Sequence, residues 1–226
     1  MTESDQPALI VQAFPIPVAL VFYPYANEFN DPIADPALAR LTDVENKFSY
    51  KAVTSADMTR WEEPVIDSIT QWVLRTARQF VETVLGRSLE DAFSDSARLD
   101  QNVPFDASGQ EMEESISICA GRSWASIYRK GDRHEAHFHP NTAMAAIYYV
   151  EGPGQCELDL LDPRPNIEYF NLGISFAGES RRLRLRCTPG ELILFPGWLK
   201  HAVPEFTEDS TRISISWNLG YAGSAD

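Results

Sequence analysis

The sequence predicts a mainly β domain, a sandwich or barrel, with helices packed on its outside. From residue 113 onward, apolar and polar residues alternate with a period of two, and Gly, Pro, Asn and Asp separate the alternating runs. The runs are SISICAG, SWASIYRK, TAMAAIYYVE, CELDLLD, RLRLRCT, ELILFP and RISISWNLG. Short strands at this spacing are typical of sandwiches and barrels.

The size of the chain favours one domain rather than two. It has 226 residues, of which 44% are hydrophobic, and this is enough to bury a core. We therefore expect a single domain over residues 1–226. Residues 1–112 would supply N-terminal strands, supporting helices and a loop, and residues 113–222 would form the β-core.

The clearest element before the β-core is a helix over residues 63–85. Pro64 stands at its first turn and Gly86 follows its end, as is typical of helix termini. Apolar residues recur at helical spacing between them, so this helix should cover one face of a sheet. They include Val65, Ile69, Trp72, Val73, Phe80 and Val84.

Three further N-terminal segments have weaker patterns. Residues 9–24 are apolar but interrupted by two prolines, which predicts one or two edge strands. Asp35 followed by Pro36 resembles a helix start and predicts a helix over 36–47. Residues 87–112 are polar and rich in turn formers, so we expect a surface loop.

Composition excludes several classes of partner. The net charge of −14 argues against a sequence-independent grip on nucleic acid or an anionic membrane, because both require a basic face. Cys119, Cys156 and Cys187 are few and widely spaced, which favours a reducing compartment. No apolar stretch approaches the roughly 20 residues of a membrane span, and the N-terminus is acidic, unlike a signal peptide. We therefore expect a soluble cytoplasmic protein.

The stretch GDRHEAHFHPN, residues 131–141, contains three of the four histidines, and the fourth is His201. Alternate residues of a strand share a face, so His137 and His139 can reach one metal ion. His201 follows an apolar strand and is the candidate third ligand. Three imidazoles suit iron, zinc, copper or nickel about equally, so the metal stays open. The alternative is a set of surface histidines that serve as hydrogen-bonding loop residues.

Two neighbours of these histidines carry separate expectations. His134 should face away from His137 and His139, because it lies an odd number of positions from both. Glu135 should share their face, and we keep it as an alternative carboxylate ligand.

The last strand also alternates. Arg212, Ser214, Ser216 and Asn218 lie on one side, and Ile213 begins the apolar other side. The polar side either meets solvent or directs Arg212 and Ser214 into the barrel to bind an anion. Arginine presents a planar fork that fits a carboxylate.

Together these residues resemble the 2-oxoglutarate- and Fe(II)-dependent oxygenases. The shared pattern is a histidine, a second ligand two positions on, a distant histidine and an R-x-S motif. It corresponds here to His137, His139, His201, Arg212 and Ser214. The stretch around IYRKGDRHEAHFH is similar to prolyl-hydroxylase-like members. Residues 113–220 as a whole are similar to a bacterial group of 2OG-Fe(II) oxygenases.

The resemblance implies a double-stranded β-helix, or cupin-like jelly roll, with Fe(II) at the barrel mouth. It implies 2-oxoglutarate as co-substrate, with its distal carboxylate at Arg212 and Ser214. Tyr128 and Tyr149 would hydrogen-bond the co-substrate, and Tyr148 is an alternative to Tyr149. The reaction would be hydroxylation, with no catalytic residue beyond the metal ligands. Another divalent metal could occupy the site in the purified protein.

One position departs from the family pattern and keeps two alternatives open. The family has Asp or Glu where this chain has His139, so a neutral ligand replaces an anion. A cupin-type three-histidine metalloenzyme also fits the G-x5-H-x-H spacing. This chain lacks the glutamate that cupin-type enzymes have soon after H-x-H, since residues 140–150 contain no carboxylate. A non-catalytic metal-binding barrel is the third hypothesis.

The sequence does not name the primary substrate, which could be a small molecule or a peptide. Loops 87–112 and 162–181 are candidates for specificity. Arg182, Arg184 and Arg186 share a strand face and could bind an acidic substrate, although solvated charges on an edge strand account for them more simply. The oligomeric state is open, with a homodimer as one option.

Overall fold

The computed structural model of the protein describes residues 15–42, 49–54, 57–99, 115–153, 156–164 and 181–224. Its helices are α1 (Ala26–Ala39), α2 (Pro64–Leu85) and α3 (Leu89–Leu99). Its strands are β1 (Ala19–Phe22), β2 (Leu41–Thr42), β3 (Ser49–Tyr50), β4 (Ala52–Thr54), β5 (Ser115–Tyr128), β6 (Arg133–His137), β7 (Met144–Glu151), β8 (Cys156–Leu161), β9 (Arg182–Cys187), β10 (Glu191–Pro196), β11 (His201–Val203) and β12 (Arg212–Ser224).

The strands form two antiparallel sheets. The larger has seven strands in the order β1-β10-β7-β12-β5-β4-β2, and the smaller has five in the order β3-β6-β11-β8-β9. Side chains from both sheets meet in one apolar cluster, which includes Ile147 and Phe195 from the larger sheet and Leu158 and Val203 from the smaller. The predicted jelly roll with flanking helices is therefore confirmed.

The outer face of the larger sheet is covered by helix α2. Ile69 and Val73 of α2 pack in one cluster with Ile215 and Trp217 of β12. The indole of Trp217 donates a hydrogen bond to Thr70 of the helix at 3.2 Å, which satisfies the one polar atom of this buried ring. The helix predicted over 63–85 is confirmed, and it ends at Gly86 in the left-handed conformation with φ of 67°.

The helix predicted over 36–47 is wrong. The chain is helical from Ala26 to Ala39, and Pro36 lies inside this helix rather than at its start. Burial decides the position: Ala26, Ile33 and Ala37 recur on one side of α1 and are buried in the core, and this apolar face outweighs the local start signal at Pro36. The described part of the region continues as strand β2, and residues 43–47 lie outside the described residues.

The loop predicted over 87–112 is wrong for residues 89–99, which form α3. Ser88 begins this helix. Its hydroxyl accepts a hydrogen bond from the Asp91 backbone N–H at 3.1 Å and donates one to the Asp91 carboxylate at 2.6 Å. The Ser88 hydroxyl therefore caps the start of the helix, and the spacing of Ser88 and Asp91 signals this in the sequence. Residues 100–112 lie outside the described residues.

The predicted strands of the β-core are present, with one difference. SISICAG and SWASIYRK contribute to one long strand, β5, which pairs along its length with β12. The apolar stretch 9–24 yields one edge strand, β1, while residues 9–14 lie outside the described residues. Among the described residues, no helix is long and apolar enough to span a membrane.

Candidate metal centre

The site lies between the two sheets and begins with the inner face of the larger one. Ser126 and Tyr128 of β5 stand directly opposite Ser214 and Arg212 of β12. Opposed residues of an antiparallel pair point to the same face, so all four side chains face the smaller sheet. They line one cavity with the four histidines.

His137, His139 and His201 converge at this cavity. His137 ends β6 and stands directly opposite His201 of β11. His139 follows β6, and its backbone N–H donates to the Gly197 carbonyl at 2.9 Å, which holds it beside the turn before β11. One ring nitrogen from each of the three histidines lies within 4.8 Å of the others. The arrangement can hold one metal ion.

Backbone carbonyls orient two of these rings. The Nδ1 atom of His137 is 2.8 Å from the Glu135 carbonyl oxygen, and that of His201 is 3.1 Å from the Leu199 carbonyl oxygen. A neutral ring that donates from Nδ1 keeps its lone pair on Nε2. The carbonyls therefore leave Nε2 of both rings available as a ligand.

Burial keeps the three imidazoles neutral. Loss of solvent lowers the pKa of His139 to about 4 and that of His201 to about 3, and it also lowers the pKa of His137. Neutral imidazole is the form that binds metal, so no proton has to leave at neutral pH before a metal enters.

The expectation that His134 faces away is wrong. His201 pairs with His137, while Val203 pairs with His134, so a two-residue step on β11 opposes a three-residue step on β6. This irregularity is a bulge, and the extra residue returns His134 to the face of His137. Their rings stack with centroids 3.8 Å apart.

The alternative ligand Glu135 is also wrong. Its side chain is 58% exposed, and its carboxylate forms an ion pair with Arg133 at 2.9 Å. The same bulge that turns His134 inward leaves Glu135 at the surface. Within the described residues, no Asp or Glu lines the cavity.

Arg212 lines the cavity and is buried, with 2% of its surface exposed. Its Nη1 donates to the Glu157 carbonyl at 3.2 Å, its Nη2 contacts the Tyr149 hydroxyl at 3.3 Å, and its Nε has no partner. The guanidinium lies over the rings of Tyr128 and Tyr149, at 4.8 and 5.1 Å from their centroids. This cation has aromatic and neutral polar neighbours and no ion pair with a carboxylate of the described residues.

The structure separates Tyr149 from Tyr148. Tyr149 lies in the inner cluster and contacts Arg212, whereas Tyr148 points to the opposite face of β7 and donates to the Asn30 side chain at 2.6 Å. Burial raises the pKa of both phenols. Tyr148 packs against the helices, so the alternative that placed it in the pocket is wrong.

The sequence did not single out Lys51 or Trp124, which also line the cavity. The Lys51 ammonium donates to the Ser126 hydroxyl at 3.0 Å and lies 5.2 Å from the centroid of the Tyr128 ring. Nothing in the local sequence distinguishes Lys51 from a surface lysine. Trp124 lies 5.7 Å from His139, ring to ring, and the alternation along β5 could have placed it on the pocket face.

The arginines of β9 have a structural partner. Arg182 and Arg184 both bind Asp159 of the neighbouring strand, and Arg184 and Arg186 contact Glu157. Strand β9 is an edge of the smaller sheet. These cross-strand ion pairs account for the charged face without a substrate.

The comparisons with known proteins agree with this geometry. A family model described as "Putative 2OG-Fe(II) oxygenase" matches residues 122–218. This range contains the three clustered histidines, Arg212 and Ser214. Residues 122–218 are therefore similar to the 2OG-Fe(II) oxygenases. No curated protein sequence matches the chain.

Solved oxygenase structures share the fold at low sequence identity. SnoN, an α-ketoglutarate-dependent epimerase from nogalamycin biosynthesis, is 11% identical with a TM-score of 0.57, covering 92% of this chain and 78% of SnoN. HygX from Streptomyces hygroscopicus, solved with nickel, 2-oxoglutarate and hygromycin B, is 10% identical with a TM-score of 0.50, covering 91% and 83%. The collagen prolyl hydroxylase of Paramecium Bursaria Chlorella virus-1, solved with 2OG, is 11% identical with a TM-score of 0.50, covering 89% and 94%. These likenesses show the jelly-roll fold.

Proposed function

We propose that this oxygenase domain uses Fe(II) and 2-oxoglutarate to hydroxylate an unidentified substrate. The observation that carries the proposal is the buried Arg212, which has no carboxylate partner among the described residues and shares one cavity with a cluster of histidines. The metal ligands would be His137, His139 and His201, and the co-substrate residues would be Arg212, Ser214, Tyr128 and Tyr149.

The histidine cluster fits a divalent metal. It offers three neutral imidazoles, and the backbone contacts of His137 and His201 fix the tautomer that presents Nε2. Imidazole is a common ligand for iron, copper, nickel and zinc, so the donor set supports Fe(II) without selecting it. Bound Fe(II) would supply dioxygen activation coupled to decarboxylation of the co-substrate.

The opposite side of the cavity fits a carboxylate. The Arg212 guanidinium is held from one side by Tyr149 and the Glu157 carbonyl, and its Nε remains unpartnered. A buried cation is stabilised when an anion meets it, and a guanidinium can meet a carboxylate in bidentate fashion. The Ser214 hydroxyl lies on the same face, one alternation along β12, and can add a donor.

The protein itself would orient and enclose the reactants. Arg212 would hold one end of the co-substrate while the histidines fix the other end through the metal. Inner-face side chains such as Ile147 limit access of water from the sheet side. The chemistry would then depend on position rather than on a protein acid or base.

The replacement of the family carboxylate by His139 keeps the cupin-type hypothesis as a competitor. The replacement favours a three-histidine cupin-type site, whereas the buried Arg212 favours the use of 2-oxoglutarate as co-substrate. An anaerobic titration of 2-oxoglutarate into the Fe(II) protein separates them. Chelation by the keto acid should give a weak visible charge-transfer band, and glutarate, which lacks the keto group, should give none. Absence of the band with 2-oxoglutarate would exclude the oxygenase proposal.

The proposal extends to the location of the protein, the class of its substrate and its oligomeric state. A cytoplasmic location is supported by the three cysteines, all of which are free thiols. The substrate would be a small molecule or peptide rather than nucleic acid or membrane lipid, in keeping with the net charge of −14. A homodimer stays a prediction.

A further inference from the structure

Lys51 enters the cavity from a position that both sheets define. It is the residue between β3 and β4, and those two strands belong to different sheets. Ser49 pairs with His134 on β6, and Val53 pairs with Ser126 on β5. The chain therefore crosses from the smaller to the larger sheet at Lys51, beside the histidines, and backbone pairing on both sides fixes the crossing.

The ammonium of Lys51 has neutral neighbours. It donates to the Ser126 hydroxyl at 3.0 Å and lies over the ring of Tyr128. Lys51 lines the same cavity as all four histidines. Within the described residues, no carboxylate pairs with Lys51 and none lines the cavity.

Charge therefore accumulates in this cavity without compensation. Imidazole binds a metal in its neutral form, so a bound divalent metal would keep its full charge, and Arg212 and Lys51 each add one more. The co-substrate carries two carboxylates, which are needed at the metal and at Arg212. Lys51 is then left without an anion, and a partly buried cation is costly without one.

Accessibility indicates which anion Lys51 would meet. Arg212 is 2% exposed, whereas Lys51 is only partly buried and stands at the crossing between the sheets. A molecule that arrives after the co-substrate can therefore still reach Lys51. One ammonium and the neighbouring Ser126 hydroxyl suit the two oxygens of a carboxylate, since phosphate usually takes more donors.

We propose that Lys51 binds a carboxylate of the primary substrate and so selects acidic substrates. This inference rests on the proposed function, because it assumes that 2-oxoglutarate occupies Arg212 and the metal. It assigns a specificity role to a residue outside the matched range 122–218.

The test uses two probes of equal shape and different charge. Benzoate and benzamide are titrated separately, to about 10 mM, into the anaerobic Fe(II)–2-oxoglutarate complex, and binding is read from the shift of the charge-transfer band. The aromatic ring of either probe can pack against Trp124, which lines the cavity. Wild type should bind benzoate at least about tenfold more tightly than benzamide.

Substitutions of Lys51 test whether this residue causes the preference for benzoate. In Lys51→Met the preference should fall to about twofold or less, and in Lys51→Arg most of it should remain, since the charge is kept. Lys130→Met is the matched control: Lys130 is 61% exposed and pairs with Asp209, and its loss should leave the preference unchanged. Retention of the 2-oxoglutarate band in Lys51→Met shows that this variant folds.

Each other outcome overturns the proposal. If benzoate does not bind wild type, binds no better than benzamide, or keeps its advantage in Lys51→Met, then Lys51 does not select an acid. If Lys51→Met weakens 2-oxoglutarate itself by tenfold or more, Lys51 belongs to the co-substrate site. A wild type that forms no band with 2-oxoglutarate would instead reject the proposed function, so the two failures are distinguishable.

Discussion

The imidazole of His134 stacks on that of His137, with ring centroids 3.8 Å apart and 26° between the ring planes. His137 is one of the three clustered histidines, whereas His134 contributes no ligand atom to the cluster. The stack therefore fixes the orientation of a candidate ligand from the side. A residue that orients His137 should affect metal affinity less than a residue that binds the metal, so metal affinity distinguishes the two roles.

Loss of a ligand should cost more metal affinity than loss of the stacking ring. We expect His139→Ala to weaken Co(II) binding by more than about 100-fold, and His134→Ala by about tenfold, the lower end of the range for residues that orient a ligand. Isothermal titration calorimetry of the metal-free protein measures both. His139→Asp restores a ligand of the family type and should keep tight binding. Equal losses in the two alanine variants would make His134 a ligand.

The sequence predicted the parts of the fold that depend on a repeating pattern. Helix α2 has an apolar stripe and both end signals, and it begins at Pro64 as expected. Helix α1 was misplaced because its position depends on burial against other elements, which a local start signal at Pro36 does not report. Helix α3 was missed although Ser88 and Asp91 carry a capping signal, because the polar composition of the segment suggested a loop.

The sequence predicted the candidate site in the same way. Arg212, Ser214 and the ligand set depend on strict alternation or on a family pattern, and the structure brings them to one cavity. His134 was misplaced because a bulge shifts the alternation by one residue, and single-sequence periodicity cannot reveal a bulge. Lys51 was missed because its place depends on the pairing of two short strands with distant partners.

Metal binding should depend only weakly on pH above 5.5. Histidines with an ordinary pKa near 6.5 would lose about tenfold in metal affinity per ligand at pH 5.5, or about 1000-fold for three. The pKa of His139 is lowered to about 4 and that of His201 to about 3, so the folded protein keeps these rings neutral. We expect Co(II) affinity to fall by less than about tenfold between pH 7 and 5.5. A 1000-fold loss by calorimetry would contradict the lowered pKa values.

The same shift predicts the stability of the metal-free protein. The unfolded chain takes up protons near pH 6.5, whereas the folded chain resists them until the pH reaches the lowered pKa values. Acid therefore favours unfolding, and stability should decline progressively as the pH falls below about 6.5. Urea unfolding midpoints at pH 7 and 5.5 measure this, and saturating Co(II) should raise stability at both pH values without reducing the decline.

Gly197 should be required for the geometry of the metal site. A Cβ atom at this position would lie 2.3 Å from the Thr142 carbonyl oxygen, and the Gly197 carbonyl accepts the His139 N–H. Gly197→Ala must therefore push apart the two segments that carry His139 and His201. We expect a loss of about 1–3 kcal/mol in urea unfolding and weaker Co(II) binding.

The matched control is Gly220→Ala, because a Cβ atom there has no neighbour within 4 Å. It should change the free energy of unfolding by less than about 0.5 kcal/mol and leave Co(II) affinity intact. If both alanine variants bind Co(II) like wild type, close approach at Gly197 does not position His139.

Removal of the Arg212 side chain should affect the co-substrate and spare the metal. The guanidinium lies beside Tyr149 and lines the same cavity as the histidines. Among the described residues, it forms no hydrogen bond with a histidine. A charge-assisted contact of this kind is typically worth 2 kcal/mol or more, so Arg212→Ala should weaken 2-oxoglutarate binding to the Fe(II) protein at least about tenfold. Arg212→Lys should recover only part of the affinity for 2-oxoglutarate, because an ammonium lacks the planar fork.

Arg186→Ala is the control, since Arg186 is exposed and pairs with Glu157 on the edge of the smaller sheet. Calorimetric titration of 2-oxoglutarate and of Fe(II) measures both affinities for each variant. Wild-type affinity for 2-oxoglutarate in Arg212→Ala would remove the main support for the oxygenase over the cupin-type alternative.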